Sequence, residues 1–97
     1  MITRFEWDPD KAASNLRKHG VSFELATRVF ADPAALVEQD RMEDGEKRWQ
    51  ALGFVEGSMM LLVAHVVREQ DGTEVIRIIS ARRADRKERR RYEEENG

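Results

Sequence analysis

The chain has 97 residues, 37% of them charged, with a formal net charge of −2 and no cysteine. This length predicts one domain over residues 1–97 with a modest core, and the missing cysteines exclude disulfides, zinc–thiolate sites and a thiol nucleophile. The longest apolar run, residues 59–64, is too short to span a bilayer, and the N-terminus lacks the apolar stretch of a signal peptide. We therefore expect a cytoplasmic protein with no membrane partner, no metal and no cofactor.

The first predicted elements are a short strand and a helical hairpin. Residues 3–7 alternate apolar and polar side chains, which favours a strand. An Asp-Pro start and a glycine stop predict a helix over residues 9–19. A second helix begins at the cap Ser22 and ends before the Asp32-Pro33 pair.

The remainder predicts four strands and a basic helix. The strands cover residues 35–39, 47–54, 58–68 and 74–82, and the helix covers residues 84–95. Short turns join the last three strands into an antiparallel meander. The order β-α-α-β-β-β-β-α predicts an α+β fold, a curved antiparallel sheet with an N-terminal helical hairpin and a C-terminal basic helix. We expect the helices to pack on one face of the sheet and a ligand to lie on the other.

The C-terminal segment concentrates positive charge. Residues 82–92 carry seven basic side chains against two acidic ones, although the whole chain is acidic. Guanidinium groups pair bidentately with phosphate and stay charged, which predicts a polyanion held at one face. The alternative is a binding module or co-repressor without catalysis, whose basic helix docks on nucleic acid or on an acidic partner.

Three separated motifs resemble a known family: WDPDKAASNLRKHG, DPAALVEQDRMEDGEKR and IRIISARRADRKERRRYE. In this order they are similar to the BrnT toxins, the toxin half of the BrnT/BrnA type II toxin–antitoxin pairs. The resemblance implies a fold like the RelE ribonuclease toxins and an endoribonuclease activity on RNA that inhibits translation.

The same resemblance implies a protein partner. A BrnA-like antitoxin would neutralise the toxin, and BrnA proteins resemble ribbon-helix-helix DNA binders. The complex would repress its own promoter, and the toxin would meet promoter DNA only through the antitoxin. Because ribbon-helix-helix proteins dimerise, we expect a complex of two toxins and two antitoxins.

RNA can be cleaved without a metal when side chains move protons at the 2′- and 5′-oxygens and neutralise the phosphoryl oxygens. Arginine binds phosphate but does not readily move a proton, because its pKa lies above about 12. Histidine is suited to the proton work, and His19 has Lys18 beside it. The alternative is that both side chains complement the dipole at a helix C-terminus. The catalytic candidates are Lys18, His19, Arg48, Arg77 and Arg82.

Two of these arginines lie on the same predicted strand. Strand alternation puts Arg77 on the face of Ile79 and Arg82 on the face of Ser80. Both reach one surface only if a bulge intervenes or if Arg82 has already left the strand. For Arg77, a salt bridge to Glu46 or to another sheet residue is the alternative to a place in the site.

Further side chains are candidates for contact with RNA: Arg68, Arg83, Arg86 and Tyr92. For Tyr92 a place in the core is the favoured alternative. His65, inside an apolar strand, is expected to be packed rather than catalytic.

Overall fold

The structure, a computed structural model, describes residues 2–97. Its elements are β1 (Ile2–Glu6), α1 (Pro9–His19), α2 (Phe23–Ala26), a 3₁₀ segment (Thr27–Ala31), β2 (Leu36–Glu43), β3 (Glu46–Glu56), β4 (Met59–Gln70), β5 (Thr73–Arg83) and α3 (Arg86–Asn96). The α+β class and the predicted order of elements are confirmed. Among the helices of these residues, none has the length and apolar content that crossing a membrane requires.

Side-chain caps begin the two longer helices. The carboxylate of Asp8 accepts a hydrogen bond from the first turn of α1, and Asp85 and Glu88 form a capping box at the start of α3. The second predicted helix is instead a short α2 followed by the 3₁₀ segment. At that change the Thr27 hydroxyl donates to the Glu24 carbonyl at 2.7 Å, which competes with regular helix geometry.

The strand β2 continues past residue 39, where the predicted strand ends. It ends at Glu43, and the turn is Asp44-Gly45, whose φ angles are 50° and 79°. Both angles lie in the left-handed region that a two-residue type I′ hairpin requires. A register irregularity between Gln39 and Met42 lets the long strand keep its pairing with β3.

The strands form one five-stranded sheet in the order β1-β5-β4-β3-β2. The strands β2 to β5 pair antiparallel, as predicted, and β1 pairs parallel to β5, so the sheet is mixed. The pairing of β1 with β5 ends at the Glu6–Arg77 pair. Beyond it, Asn15 of α1 replaces a strand. Its amide donates to the Ala81 carbonyl at 2.8 Å, and its oxygen accepts from the Ala81 N–H at 3.1 Å.

A bulge interrupts the pairing of β4 with β5. Ala64 lies opposite Ser80, but the next residue of β4, His65, lies opposite Ile78. Ile79 is therefore an extra residue in β5, and the alternation of its side chains resets there.

The bulge decides which side chains share a face. Leu62, Ala64 and Val66 alternate along β4 and define one surface of the sheet, here named the cleft face. Their partners in β5 are Arg82, Ser80 and Arg77, respectively. Both arginines of β5 therefore project from the cleft face, which is the first of the two arrangements that the sequence left open.

Each face of the sheet buries its own apolar cluster. On the surface opposite the cleft face, here named the hairpin face, the cluster includes Phe23, Val29, Ala51, Leu61, Val63, Ile78 and Ala81. On the cleft face it consists of Leu52, Met60, Leu62 and Tyr92. The expectation that all helices pack on one face is therefore wrong. The helix α3 lies on the cleft face because Tyr92, its one buried side chain, packs edge-on against Phe54 of β3.

Candidate active site

A cleft of about 200 Å³, here named the central cleft, opens on the cleft face beside α3. The strands supply Arg48, Gln50, Ser80 and Arg82 to its walls, and the last residue of α1 supplies His19. Three of the five predicted catalytic residues, His19, Arg48 and Arg82, therefore meet in one place. The arrangement puts an imidazole and two guanidinium groups around a space open to solvent.

The helix α1 brings His19 to the central cleft. Lys11, Asn15 and His19 are four residues apart, so they share one stripe of the helix. The two hydrogen bonds of Asn15 to Ala81 fasten this stripe to the edge of β5. Lys18 is exposed and lies one residue off the stripe, so the structure does not bring it into the central cleft.

Two carboxylates of β2 hold Arg48. Its Nη1 donates to Glu43 at 2.9 Å, and its Nε lies 3.3 Å from a carboxylate oxygen of Asp40. The hydrogen bond from Arg48 lowers the pKa of Glu43. The guanidinium, with 16% of the side chain exposed, is fixed in the wall of the cleft.

Glu88, in the first turn of α3, holds Arg82. The Nη1 and Nη2 atoms of Arg82 donate to the two carboxylate oxygens at 2.8 Å and 2.9 Å. These hydrogen bonds raise the pKa of Arg82 and lower that of Glu88. Arg82 is still within β5, opposite Leu62, and has not left the strand.

A second cleft, of about 150 Å³, adjoins the central cleft along the same face. Its walls are formed by Lys11, Glu43, Asp44, Glu46, Val66, Arg77 and Ile79. Arg77 donates to Glu6 at 3.0 Å, and the same oxygen accepts from Arg68 at 2.8 Å. The salt bridge considered for Arg77 thus forms with Glu6 rather than with Glu46. Arg77 and Arg68 remain 40% and 50% exposed, so both offer donors to solvent on the cleft face.

Arg68 lines neither cleft, and the three other candidates for RNA contact also lie outside both. Tyr92 is 7% exposed, and its hydroxyl donates to Asp32 at 2.8 Å. Burial and this hydrogen bond raise the pKa of Tyr92 to about 12, so the ring offers a base no open face and the hydroxyl no proton near neutrality. Arg83 is exposed on the hairpin face. Arg86 belongs to the basic groove of α3, an open groove lined by Arg86, Arg89, Arg90 and Glu93.

His65 is a core side chain, as expected. It is 2% exposed, its Nδ1 lies 3.2 Å from the Val63 carbonyl oxygen, and its ring meets Phe30 edge-on. Burial lowers its pKa, which favours the neutral ring. Within residues 2–97, histidine, aspartate and glutamate side chains form no group of three or more arranged to hold a metal ion.

Sequence reasoning missed several residues of the site. Lys11 and Asn15 carried a usable signal, because both lie four-residue steps before His19 on one helix. The sequence signals only one role of Glu88, because its spacing from Asp85 is that of a capping box. Its contact with Arg82 is tertiary and leaves no mark in the spacing.

The comparisons with known proteins agree with this architecture. The sequence matches the profile of the family described as "Ribonuclease toxin, BrnT, of type II toxin-antitoxin system" over residues 7–88. The fold is similar to the crystal structure, at 1.1 Å resolution, of the Brucella abortus ribonuclease toxin BrnT. That similarity has a TM-score of 0.63 and 24% identity and covers 89% of this chain and 100% of the other. No curated protein matches the sequence. Because the matched residues span α1, the whole of β2 to β5 and the start of α3, the chain belongs to the BrnT family of ribonuclease toxins of type II toxin–antitoxin systems.

Proposed function

We propose that this toxin is a metal-independent endoribonuclease that inhibits translation by cleaving RNA in the central cleft. The observation that carries the proposal is the bulge at Ile79, since it turns Arg77 and Arg82 toward the face that holds His19 and Arg48. The family supports a ribonuclease toxin. The cleft supplies the two kinds of group that RNA cleavage without a metal needs.

The chemistry follows from the roles that these side chains can take. The ribose 2′-oxygen forms a bond to the adjacent phosphorus while the bond from phosphorus to the 5′-oxygen breaks, which leaves a cyclic phosphate. We assign proton transfer to His19 and stabilisation of the phosphoryl oxygens to Arg48 and Arg82. Arg77 and Arg68, further along the same face, are suited to the neighbouring phosphates of the strand.

The first experiment is an assay of purified protein on RNA in EDTA, with the variants His19→Ala and Arg82→Ala. We expect each to slow cleavage about 100-fold, the usual effect of removing a proton-transfer group or a charge-stabilising donor. Arg28→Ala is the matched control, because Arg28 pairs with Glu56 away from the cleft face. Urea unfolding establishes that each variant is folded.

The outcomes of this assay test two claims independently, the ribonuclease activity and its location in the central cleft. If the unmodified protein leaves RNA intact in EDTA, the proposed activity is wrong. If it cleaves and both variants cleave equally fast, the activity stands and the assignment of the central cleft is wrong. Induced expression adds a cellular test, in which growth should stop and a neighbouring antitoxin reading frame should restore it.

The family implies an antitoxin partner, and we propose a BrnA-like protein of the ribbon-helix-helix type. Two toxins and two antitoxins would form the complex, which would bind promoter DNA through the antitoxin. The open central cleft and the basic groove of α3 support an acidic segment of the antitoxin as the inhibitor. Light scattering should give the mass of a two-plus-two complex, and a one-plus-one mass would contradict the proposal.

One observation favours the binding module as a second candidate. Arg48, Arg77 and Arg82 are all paired with carboxylates of this chain, whereas Arg86 and Arg90 are exposed along α3. A module of this kind would bind RNA with a strong salt dependence and leave it intact. The cleavage assay therefore decides between the two.

A further inference from the structure

We propose that Glu88 is a positioning residue, which orients the phosphate-binding guanidinium of the central cleft. The inference rests on the proposed function, because it concerns how Arg82 meets a phosphate. It adds a residue of α3 to a site otherwise built from the sheet and α1.

The contacts of Arg82 within residues 2–97 leave two of its hydrogen-bond donors free. A guanidinium has five N–H groups in a rigid plane. Glu88 takes one N–H from each terminal nitrogen, and the Arg83 carbonyl oxygen accepts from Nη1 at 3.2 Å. The two N–H groups that remain, on Nε and Nη2, lie side by side. Such a pair matches two oxygens of a phosphate.

The capping box holds Glu88 in place. Its carboxylate also accepts from the Asp85 N–H at 2.9 Å, and its own N–H donates to the Asp85 carboxylate at 2.8 Å. Only 17% of the side chain is exposed. The start of α3 therefore sets the orientation of the carboxylate, and the carboxylate sets the orientation of Arg82.

The negative charge of Glu88 also affects the binding of RNA. A carboxylate beside Arg82 weakens the attraction of the site for RNA, so Glu88 opposes binding while it orders the guanidinium. A group with these two effects has a distinct kinetic signature. Its removal should slow the chemical step without weakening the binding of RNA.

The test compares Glu88→Ala with two control variants on the full chain. For Glu88→Ala we expect kcat to fall on the order of 10- to 100-fold, as for a misplaced catalytic group, with KM unchanged or lower. Glu94→Ala removes the same charge from an exposed position of α3 and should leave kcat unchanged. Asp85→Ala removes the carboxylate that caps the helix, but it keeps the backbone N–H of residue 85 that holds the Glu88 carboxylate and it keeps the pair of Glu88 with Arg82. It should therefore lower stability and not kcat.

Two further variants complete the design. Glu88→Gln keeps an acceptor oxygen and the size of the side chain, so we expect it to retain more of kcat than Glu88→Ala. In an Arg82→Ala background, Glu88→Ala should cause no further loss of kcat, because the residue to be oriented is gone.

Several results would overturn the inference. An undiminished kcat in Glu88→Ala would do so while leaving the proposed function intact. A loss of kcat in Asp85→Ala equal to that in Glu88→Ala would show that the helix cap matters and the guanidinium contact does not. A parallel loss of cleavage and of RNA binding in Glu88→Ala would indicate a role in folding alone. Absence of cleavage by the unmodified protein would overturn both the function and this inference.

Discussion

At the scale of the residue, Asn15 joins α1 to the sheet and carries His19 with it. Its amide donates to the carbonyl groups of Val21 and Ala81 at 3.0 Å and 2.8 Å, and its oxygen accepts from the Ala81 N–H at 3.1 Å. Asn15 is 7% exposed, so water does not easily replace its side chain. The amide of Asn15 thus pairs with the backbone of Ala81 as a neighbouring strand would.

We expect Asn15→Ala to lower the free energy of unfolding by about 3 kcal/mol, since it leaves buried backbone groups without partners. Urea unfolding measures the loss. Ser14→Ala is the matched control, because Ser14 is the exposed neighbour in α1, and it should change stability by less than about 0.5 kcal/mol. A similar small change for Asn15→Ala would contradict the role given to this side chain.

At the scale of the element, two carboxylates fasten α3 to the sheet. Asp32 accepts from the Tyr92 hydroxyl at 2.8 Å and from the N–H groups of Phe54 and Ala34 at 2.9 Å. Burial raises the pKa of Asp32, but these hydrogen bonds outweigh it and the pKa is lowered. The pKa of Glu88 is lowered mainly by its hydrogen bonds with Arg82. Both anchors of α3 are thus groups that acid neutralises.

We therefore expect stability to fall on acidification. The folded-state pKa values of Asp32 and Glu88 lie below the ordinary 3.8 and 4.5, so the unfolded chain binds more protons in that range. These two carboxylates contribute fully to the free energy of unfolding when the pH is above their ordinary pKa values. The contribution is lost as the pH falls through their folded-state pKa values. Urea midpoints from pH 7 to pH 3 measure this dependence.

Variants at the two anchors give the control for this pH dependence. Asp32→Asn and Glu88→Gln should each be less stable than the unmodified protein at pH 7 and less sensitive to acid. If both keep the full loss of stability on acidification, other carboxylates cause it.

The elements also show which parts of the fold a sequence reveals. Caps act over a few residues, so the helix starts and most strands were predicted near their true positions, whereas β2 runs to Glu43 instead of ending at residue 39. The bulge at Ile79 depends on which residue of β4 lies opposite each residue of β5, and no local pattern records it. The parallel pairing of β1 with β5 and the packing of α3 on the cleft face likewise depend on contacts between residues that are far apart in the sequence. His19, Arg48 and Arg82 were chosen as candidates by residue type and line one cleft, whereas Glu88 becomes a candidate only through its tertiary contact with Arg82.

At the scale of the whole molecule, the charge is divided between two surfaces. The net charge is −2, and carboxylates of this chain already pair with the arginines of both clefts. In the basic groove of α3, by contrast, Arg86 and Arg90 are exposed to solvent. We infer that this groove supplies much of the long-range attraction for RNA, while the paired arginines of the clefts orient the bound strand.

The salt dependence of RNA binding tests this division. Each phosphate contact on a single strand contributes about 0.7 to the slope of log K against log salt, so we expect Arg90→Ala to reduce the slope by about that amount. Fluorescence anisotropy with 2′-O-methyl RNA measures binding alone, because the blocked 2′-oxygen cannot attack phosphorus. Arg28→Ala, on the hairpin side of the sheet, should leave the slope unchanged. If Arg90→Ala also leaves it unchanged and Arg77→Ala lowers it, the strand runs along the second cleft rather than along α3.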